Sequence, residues 1–101
     1  MKVRFSEAAA QRYDAVLAYI REQNPLAAAR MVAAVSRSLG RLRDFPLIGS
    51  RPREFAGLPL RQVIVEPYRF FYIIEADGRT VTIVDVWHGA QLPDAPELPA
   101  P

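Results

Sequence analysis

The residues best suited to chemistry lie in the last third of the chain. Three strand-like runs there contain or border Arg61, Tyr68, Arg69, Tyr72 and the only histidine, His88. Cleavage of RNA without a metal needs a base near the 2′-hydroxyl, an acid near the leaving oxygen and a cation on the phosphate. Arg61, Tyr72 and His88 offer these kinds of group. The alternative is structural: His88 ends a strand and bonds to backbone, and the tyrosines belong to the core.

Other catalytic arrangements lack their parts. The chain has no cysteine, and one histidine with scattered carboxylates makes no familiar set of metal ligands. Asp85 and His88 are three positions apart near a strand end, where their side chains need not converge. The four serines follow no nucleophile-elbow motif, and the glycines form no phosphate-binding loop. We therefore expect no metal site and no cofactor.

Three predicted strands position these side chains. The runs cover 60–65, 68–74 and 80–89, and Asp77-Gly78 between the last two is a typical hairpin turn. Alternate residues of a strand point to opposite faces. Both faces of the middle run are largely apolar, which predicts a central strand in an antiparallel sheet.

Two helices are predicted ahead of the strands. Ser6 is a suitable N-cap for the first helix, which should end near Gln23 because Pro25 disfavours helical geometry at Asn24. Asn24 then caps a second helix, in which Pro25 takes the first position and which runs to about Arg43. So short a connection predicts a helical hairpin.

The chain is predicted to be one α+β domain with a tail. A short strand at 2–5 precedes the first helix, which gives the element order β-α-α-β-β-β. The domain spans 1–91. The tail, 92–101, has four prolines in ten residues and is expected to be extended or disordered.

Charge and composition narrow the class of partner. The net charge is +2, and without the acidic tail 13 bases face nine acids, a charge of +4. Twelve of the bases are arginine, the better ligand for carboxylate and phosphate, although composition bias explains this equally well. The chain has no apolar leader and no membrane-length apolar run, so we expect a cytoplasmic protein with no membrane partner.

Several short motifs, in their order and spacing, resemble the ParE branch of the RelE/ParE superfamily, the toxins of type II toxin–antitoxin modules. The motifs are Tyr19-Ile20, Asn24-Pro25, 42–49, Leu60-Arg61, 68–72 and 86–89, and the resemblance covers roughly residues 2 to 91. The chain departs from the family at Arg12-Tyr13, where an acidic residue and leucine are usual. It departs again at Gln91, which replaces the arginine of a His-x-x-Arg ending.

The resemblance implies a fold and a set of partners. The helical hairpin is expected to pack on a small antiparallel sheet. A cognate antitoxin, expected to be of the ribbon-helix-helix type, would wrap the toxin in a hetero-oligomer and provide its only link to DNA. The ParE branch, associated with plasmid stabilization, implies inhibition of DNA gyrase, whereas the RelE branch implies cleavage of messenger RNA on the ribosome.

Three functions follow from the resemblance, and the sequence favours the first. Lysine is nearly absent, and the net charge is modest for docking on ribosomal RNA. The RelE branch usually carries a catalytic tyrosine near its C-terminus, whereas no tyrosine follows Tyr72 in this chain. These features favour a gyrase inhibitor that acts by binding, not an enzyme. The alternatives are a RelE-like endoribonuclease, with Arg61, Tyr72 and His88 as its catalytic residues, and a decayed homologue that only binds its antitoxin. Gln91 keeps the decayed form in consideration.

Two sets of binding residues are predicted. The target-binding set is Arg61, Arg69, His88 and Gln91, although Arg61 would equally form a structural ion pair with Glu66 or Asp85. The antitoxin-binding set is Tyr13, Ala28, Val32 and Trp87. For the alanines of the second helix and for Trp87, packing inside the protein is the competing interpretation.

Overall fold

The element order is the one that the sequence predicts. The computed structural model describes residues 1–91 and 94–98, with strands β1 (Lys2–Phe5), β2 (Arg61–Val65), β3 (Tyr68–Ile74) and β4 (Thr80–His88), helices α1 (Glu7–Gln23) and α2 (Pro25–Arg41), and a 3₁₀ turn at Arg53–Phe55. α2 ends two residues before the predicted Arg43, since Leu42 caps it. The 3₁₀ turn lies between the second predicted helix and the first of the three predicted strands, where no helix or strand was predicted.

Side-chain caps fix the starts of both helices. The Ser6 hydroxyl oxygen accepts a hydrogen bond from the Ala9 N–H at 3.1 Å, and the Asn24 amide oxygen accepts one from the Ala27 N–H at 3.1 Å. Asn24 is also the C-cap of α1, so a single residue in an extended conformation connects the two helices and reverses the chain. The predicted caps and the helical hairpin are confirmed.

The three later strands form the predicted antiparallel sheet, and β1 joins it as a parallel edge strand, which makes the whole sheet mixed. Its strand order is β1-β4-β3-β2, and the three later strands pair antiparallel. β1 pairs parallel with β4, from Lys2 opposite Thr80 to Phe5 opposite Ile83. The whole helical hairpin and two strands separate these partners in sequence, which is the long connection that a parallel pair requires. β3 is central, as predicted.

The sheet has a core on each face. The larger core lies under the helices and includes Phe70, Tyr72 and Ile83, all fully buried. A smaller core on the outer face is made of Leu60, Phe71, Ile73 and Val84, and it is covered by Phe55, Leu58, Trp87 and Leu98. This alternation along β3 explains why both of its faces are apolar in sequence.

The predicted tail is described in part. Residues 94–98 form neither helix nor strand, and Leu98 packs on the outer core. The remainder of the predicted tail, 92–93 and 99–101, lies outside the described residues. Within the described chain, no helix has the length and apolar character needed to cross a membrane.

Candidate functional site

Arg61 supports the loop that connects α2 to β2. Its guanidinium donates to the carbonyl oxygen of Gly49 at 2.8 Å and to that of Leu47 at 3.3 Å. The ion pair expected with Glu66 or Asp85 does not form. Arg61 is only partly buried, so the predicted role in target binding remains open to it alongside this structural one.

Tyr72 contacts the same loop through its hydroxyl group. Its hydroxyl donates to the carbonyl oxygen of Pro46 at 2.7 Å and accepts from the Gly49 N–H at 3.0 Å. A Cβ on Gly49 would lie 2.6 Å from this hydroxyl and from the Gln62 carbonyl oxygen, so only glycine fits there. Burial raises the pKa of Tyr72. The side chain is fully buried, which argues against the catalytic role that Tyr72 would have in the ribonuclease alternative.

Arg69 belongs to a partly buried network on the outer face of the sheet. Its guanidinium makes a two-pronged pair with Glu54, at 2.6 and 2.9 Å, and its Nε–H donates to the Gln62 side-chain oxygen at 2.9 Å. It also lies 4.9 Å from the centre of the Phe71 ring. The Glu54 contact raises the pKa of Arg69. Arg69, one of the predicted target-binding residues, has only 9% of its surface exposed.

His88 and Gln91 come together at the end of β4. The Gln91 side-chain oxygen accepts from the His88 N–H at 3.0 Å, and the His88 Nδ1 accepts from the Ala90 N–H at 3.1 Å. The His88 ring contacts Tyr68 edge-on, with ring centres 5.4 Å apart. Both residues are exposed. Of the predicted target-binding set, only these two are adjacent and open to solvent.

The three residues predicted for RNA cleavage do not form one site. Arg61 pairs with Tyr72 across β2 and β3, whereas His88 pairs with Tyr68 across β3 and β4. Tyr68 and Tyr72 are four residues apart on one strand, which separates them by about 13 Å. His88, the candidate for proton transfer, therefore lies at the opposite end of the sheet from Arg61.

A groove opens between the helices and the β2–β3 turn. It has a volume of about 440 Å³ and is lined by Ile20, Ala27, Arg30, Met31, Ala34, Val65, Glu66, Pro67 and Tyr68. Most of this lining is apolar, with Arg30 and Glu66 as its charges. The end formed by Pro67 and Tyr68 adjoins the β4 terminus, because the Gly89 N–H donates to the Pro67 carbonyl oxygen at 2.7 Å.

A second groove holds two of the predicted antitoxin contacts. Tyr13 and Val32 line it, together with Val3, Phe5, Val35, Ser36, Leu39, Gly40 and Arg43, around a volume of about 270 Å³. Burial raises the pKa of Tyr13, and the nearby Asp14 carboxylate adds to the effect. Ala28, the third predicted contact, is only 3% exposed and lies within the packed interior, so it is not available to a partner.

Trp87, the fourth predicted antitoxin contact, lies apart from both grooves. Its indole N–H donates to Asp85 at 2.7 Å, and the Arg12 guanidinium lies 4.3 Å from the centre of its ring. Arg12 also pairs with Asp85 at 3.1 Å. Trp87 is half-buried, so it is partly core and partly surface. The unusual Arg12 thus has a structural partner that was not predicted.

Glu54 is the most strongly perturbed group that the sequence did not reveal. The hydrogen bond from Arg69 lowers its pKa from 4.5 to about 2. In the sequence, Glu54 is only a carboxylate in a basic loop, fifteen positions from Arg69. Among residues 1–91 and 94–98, no three side chains of histidine, aspartate or glutamate gather as a metal site would require.

Known structures share this arrangement of helices and strands. The toxin-antitoxin system described as chromosomal ParDE from P. aeruginosa superposes with a TM-score of 0.70 at 18% identity, covering 87% of this chain and 95% of that chain. The RelBE2 toxin-antitoxin complex of Mycobacterium tuberculosis gives 0.57 at 25% identity, with coverages of 86% and 95%. The intact E. coli RelBE complex gives 0.59 at 18% identity, with coverages of 90% and 98%.

Sequence comparison identifies the family. No curated protein matches the chain significantly. The profile of the family described as the ParE toxin of the type II toxin-antitoxin system, parDE, matches residues 3–93, which is nearly all of the domain. The chain therefore belongs to the ParE toxin family.

Proposed function

We propose that this chain is a type II toxin that inhibits DNA gyrase by binding and is neutralised by a cognate antitoxin. The observation that carries the proposal is that the three residues predicted for RNA cleavage lie apart. Tyr72 is buried beneath a loop, and His88 lies at the far end of the sheet from Arg61. A nuclease needs these groups within hydrogen-bonding reach of one phosphate, so the geometry favours a binding inhibitor.

The antitoxin is proposed to occupy the two grooves between the helices and the sheet. An amphipathic helix commonly binds by placing its apolar face in a groove of this kind. Met31 and Ala34 in the first groove and Val32 in the second offer apolar contacts on α2. The ParDE and RelBE structures are complexes of toxin and antitoxin, which supports a hetero-oligomer of this chain with a small antitoxin.

Controlled expression without antitoxin tests the proposal. DNA synthesis and translation are followed in the minutes after induction, together with the integrity of messenger RNA. We expect DNA synthesis to stop first, with an SOS response and intact RNA. Purified protein should inhibit supercoiling by gyrase. A first stop in translation, with cleaved messenger RNA, would instead establish the RelE-like nuclease.

A matched pair of variants separates inhibition from cleavage. His88→Ala removes the only side chain suited to proton transfer near neutrality, and Tyr19→Ala removes another exposed ring, on α1, as a control. A nuclease should lose activity by at least about 10²-fold in the first variant alone. A binding inhibitor should not show so large a loss.

The decayed homologue remains as a second candidate because of Gln91. Its side chain binds the His88 backbone at the position where the family places an arginine. If the unaltered chain arrests neither DNA synthesis nor translation, Gln91→Arg should restore arrest. Failure of that variant as well would leave antitoxin binding as the remaining activity.

A further inference from the structure

The loop between α2 and β2 presents large apolar side chains to solvent. Phe45 is 62% exposed, Leu47 63% and Ile48 55%, and Ile64 on the neighbouring edge strand is 49% exposed. Phe45, Leu47 and Ile48 line one hollow, and Ile48 and Ile64 line a second. Because Ile48 belongs to both, the four side chains form one surface, here called the loop platform. Monomeric proteins rarely expose large contiguous apolar patches unless these bind something.

The loop platform is held rigidly. Arg61 and Tyr72 bind the backbone oxygens of Pro46, Leu47 and Gly49. The Ser50 and Gln62 backbones exchange two hydrogen bonds, at 3.0 and 2.8 Å, which fasten the end of the loop to β2. Because these hydrogen bonds fix the loop backbone, little conformational entropy is lost when a partner binds it.

The chain on either side of the loop platform is basic. Arg41, Arg43, Arg51 and Arg53 flank it, against the single free carboxylate of Asp44. None of these arginines takes part in an ion pair within the described residues. Glu54, the other acid nearby, is already bound by Arg69. Charge complementarity therefore requires a partner whose apolar contact region is edged by carboxylates.

We propose that the loop platform is the surface with which this toxin grips its target protein, by inserting Leu47 and Ile48 into an apolar recess edged by carboxylates. The inference rests on the proposed function and names the surface that carries it out. The platform side chains are exposed, whereas an antitoxin segment suits the two grooves, and neither groove contains a platform residue. Nucleic-acid bases stack on aromatic rings, and Phe45 is the one aromatic ring among the four platform side chains, so the platform favours a protein partner.

The test compares a platform variant with a matched control. Leu47→Ser/Ile48→Ser removes two exposed side chains while leaving Arg61, Tyr72 and Gly49 in place. Leu26→Ser removes a leucine of similar exposure, 58%, at the start of α2. Growth arrest after induction and binding of each purified protein to DNA gyrase are measured, and thermal unfolding verifies that each variant folds.

The platform variant should bind gyrase at least tenfold more weakly and lose growth arrest, while the control matches the unaltered chain. Unchanged arrest and gyrase binding in the platform variant would overturn the inference and leave the proposed function intact. Equal losses in the control, or lost arrest with gyrase binding unchanged, would also overturn it. If the unaltered chain neither binds gyrase nor arrests growth, the proposed function fails and the inference fails with it.

Discussion

Glu54 and Arg69 form the most specific polar contact on the outer face of the sheet. Arg69 is held in the middle of β3, and the 3₁₀ turn brings Glu54 over it. Arg69 was predicted to bind a target, whereas its contact with Glu54 was not predicted. Its partner lies in a loop, whose path depends on tertiary packing that no local pattern encodes. The same limit applies to Tyr72, whose buried hydroxyl bonds to Pro46 and Gly49, both more than twenty residues earlier in the chain.

Acid should remove the contribution of this pair. The pKa of Glu54 is about 2 in the folded protein and near 4.5 when unfolded, so its stabilisation is present above about pH 4.5 and is lost as the pH falls toward 2. Glu54→Gln should therefore destabilise the protein at pH 7 by about 1 kcal/mol, a value reduced for solvent screening. The difference from the unaltered chain should disappear near pH 2. Urea unfolding between pH 2 and 7 measures it, with exposed Glu22→Gln as the control.

Elements of this fold differ in how far local sequence determines them. The caps at Ser6 and Asn24 and the turn at Asp77-Gly78 were predicted because each depends on residues next to one another. The parallel pairing of β1 with β4 was not predicted, since its partners are nearly eighty residues apart. β1 pairs with β4 only as far as Ile83. Beyond that residue, Arg12 of α1 contacts β4 by pairing with Asp85.

The contact between α1 and β4 should be visible through the only tryptophan. Asp85 accepts from the Trp87 indole and pairs with Arg12, which in turn lies over the indole ring. Asp85→Asn removes the charge that holds Arg12, so we expect a shift in Trp87 fluorescence and a loss of about 1 kcal/mol of stability. Asp14→Asn, an exposed change on the same helix, should alter neither. An unchanged Trp87 spectrum in Asp85→Asn would contradict this arrangement.

The sheet of this molecule has side chains packed on both faces, and only the packing of the helices on the inner face was expected. The helical hairpin, expected to pack on the sheet, predicted the inner core. The outer core was not foreseen as a separate unit, although β3 showed apolar residues on both faces. Its cover comes from scattered single residues, Phe55, Leu58 and Leu98, which follow no period that a sequence pattern would reveal. Leu98 is notable among them because it lies beyond the segment that matches the ParE toxin family.

The outer core should therefore depend in part on Leu98. Complete burial of a leucine contributes roughly 1.5–3 kcal/mol, and Leu98 is only partly buried, so Leu98→Ser should lower the free energy of unfolding by about 1 kcal/mol. Leu26→Ser, at an exposed position, should change it by less than about 0.5 kcal/mol. Urea unfolding of the full chain measures both. If the two variants are equally stable, Leu98 does not cover the sheet in solution, and the outer core is held by Phe55, Leu58 and Trp87 alone.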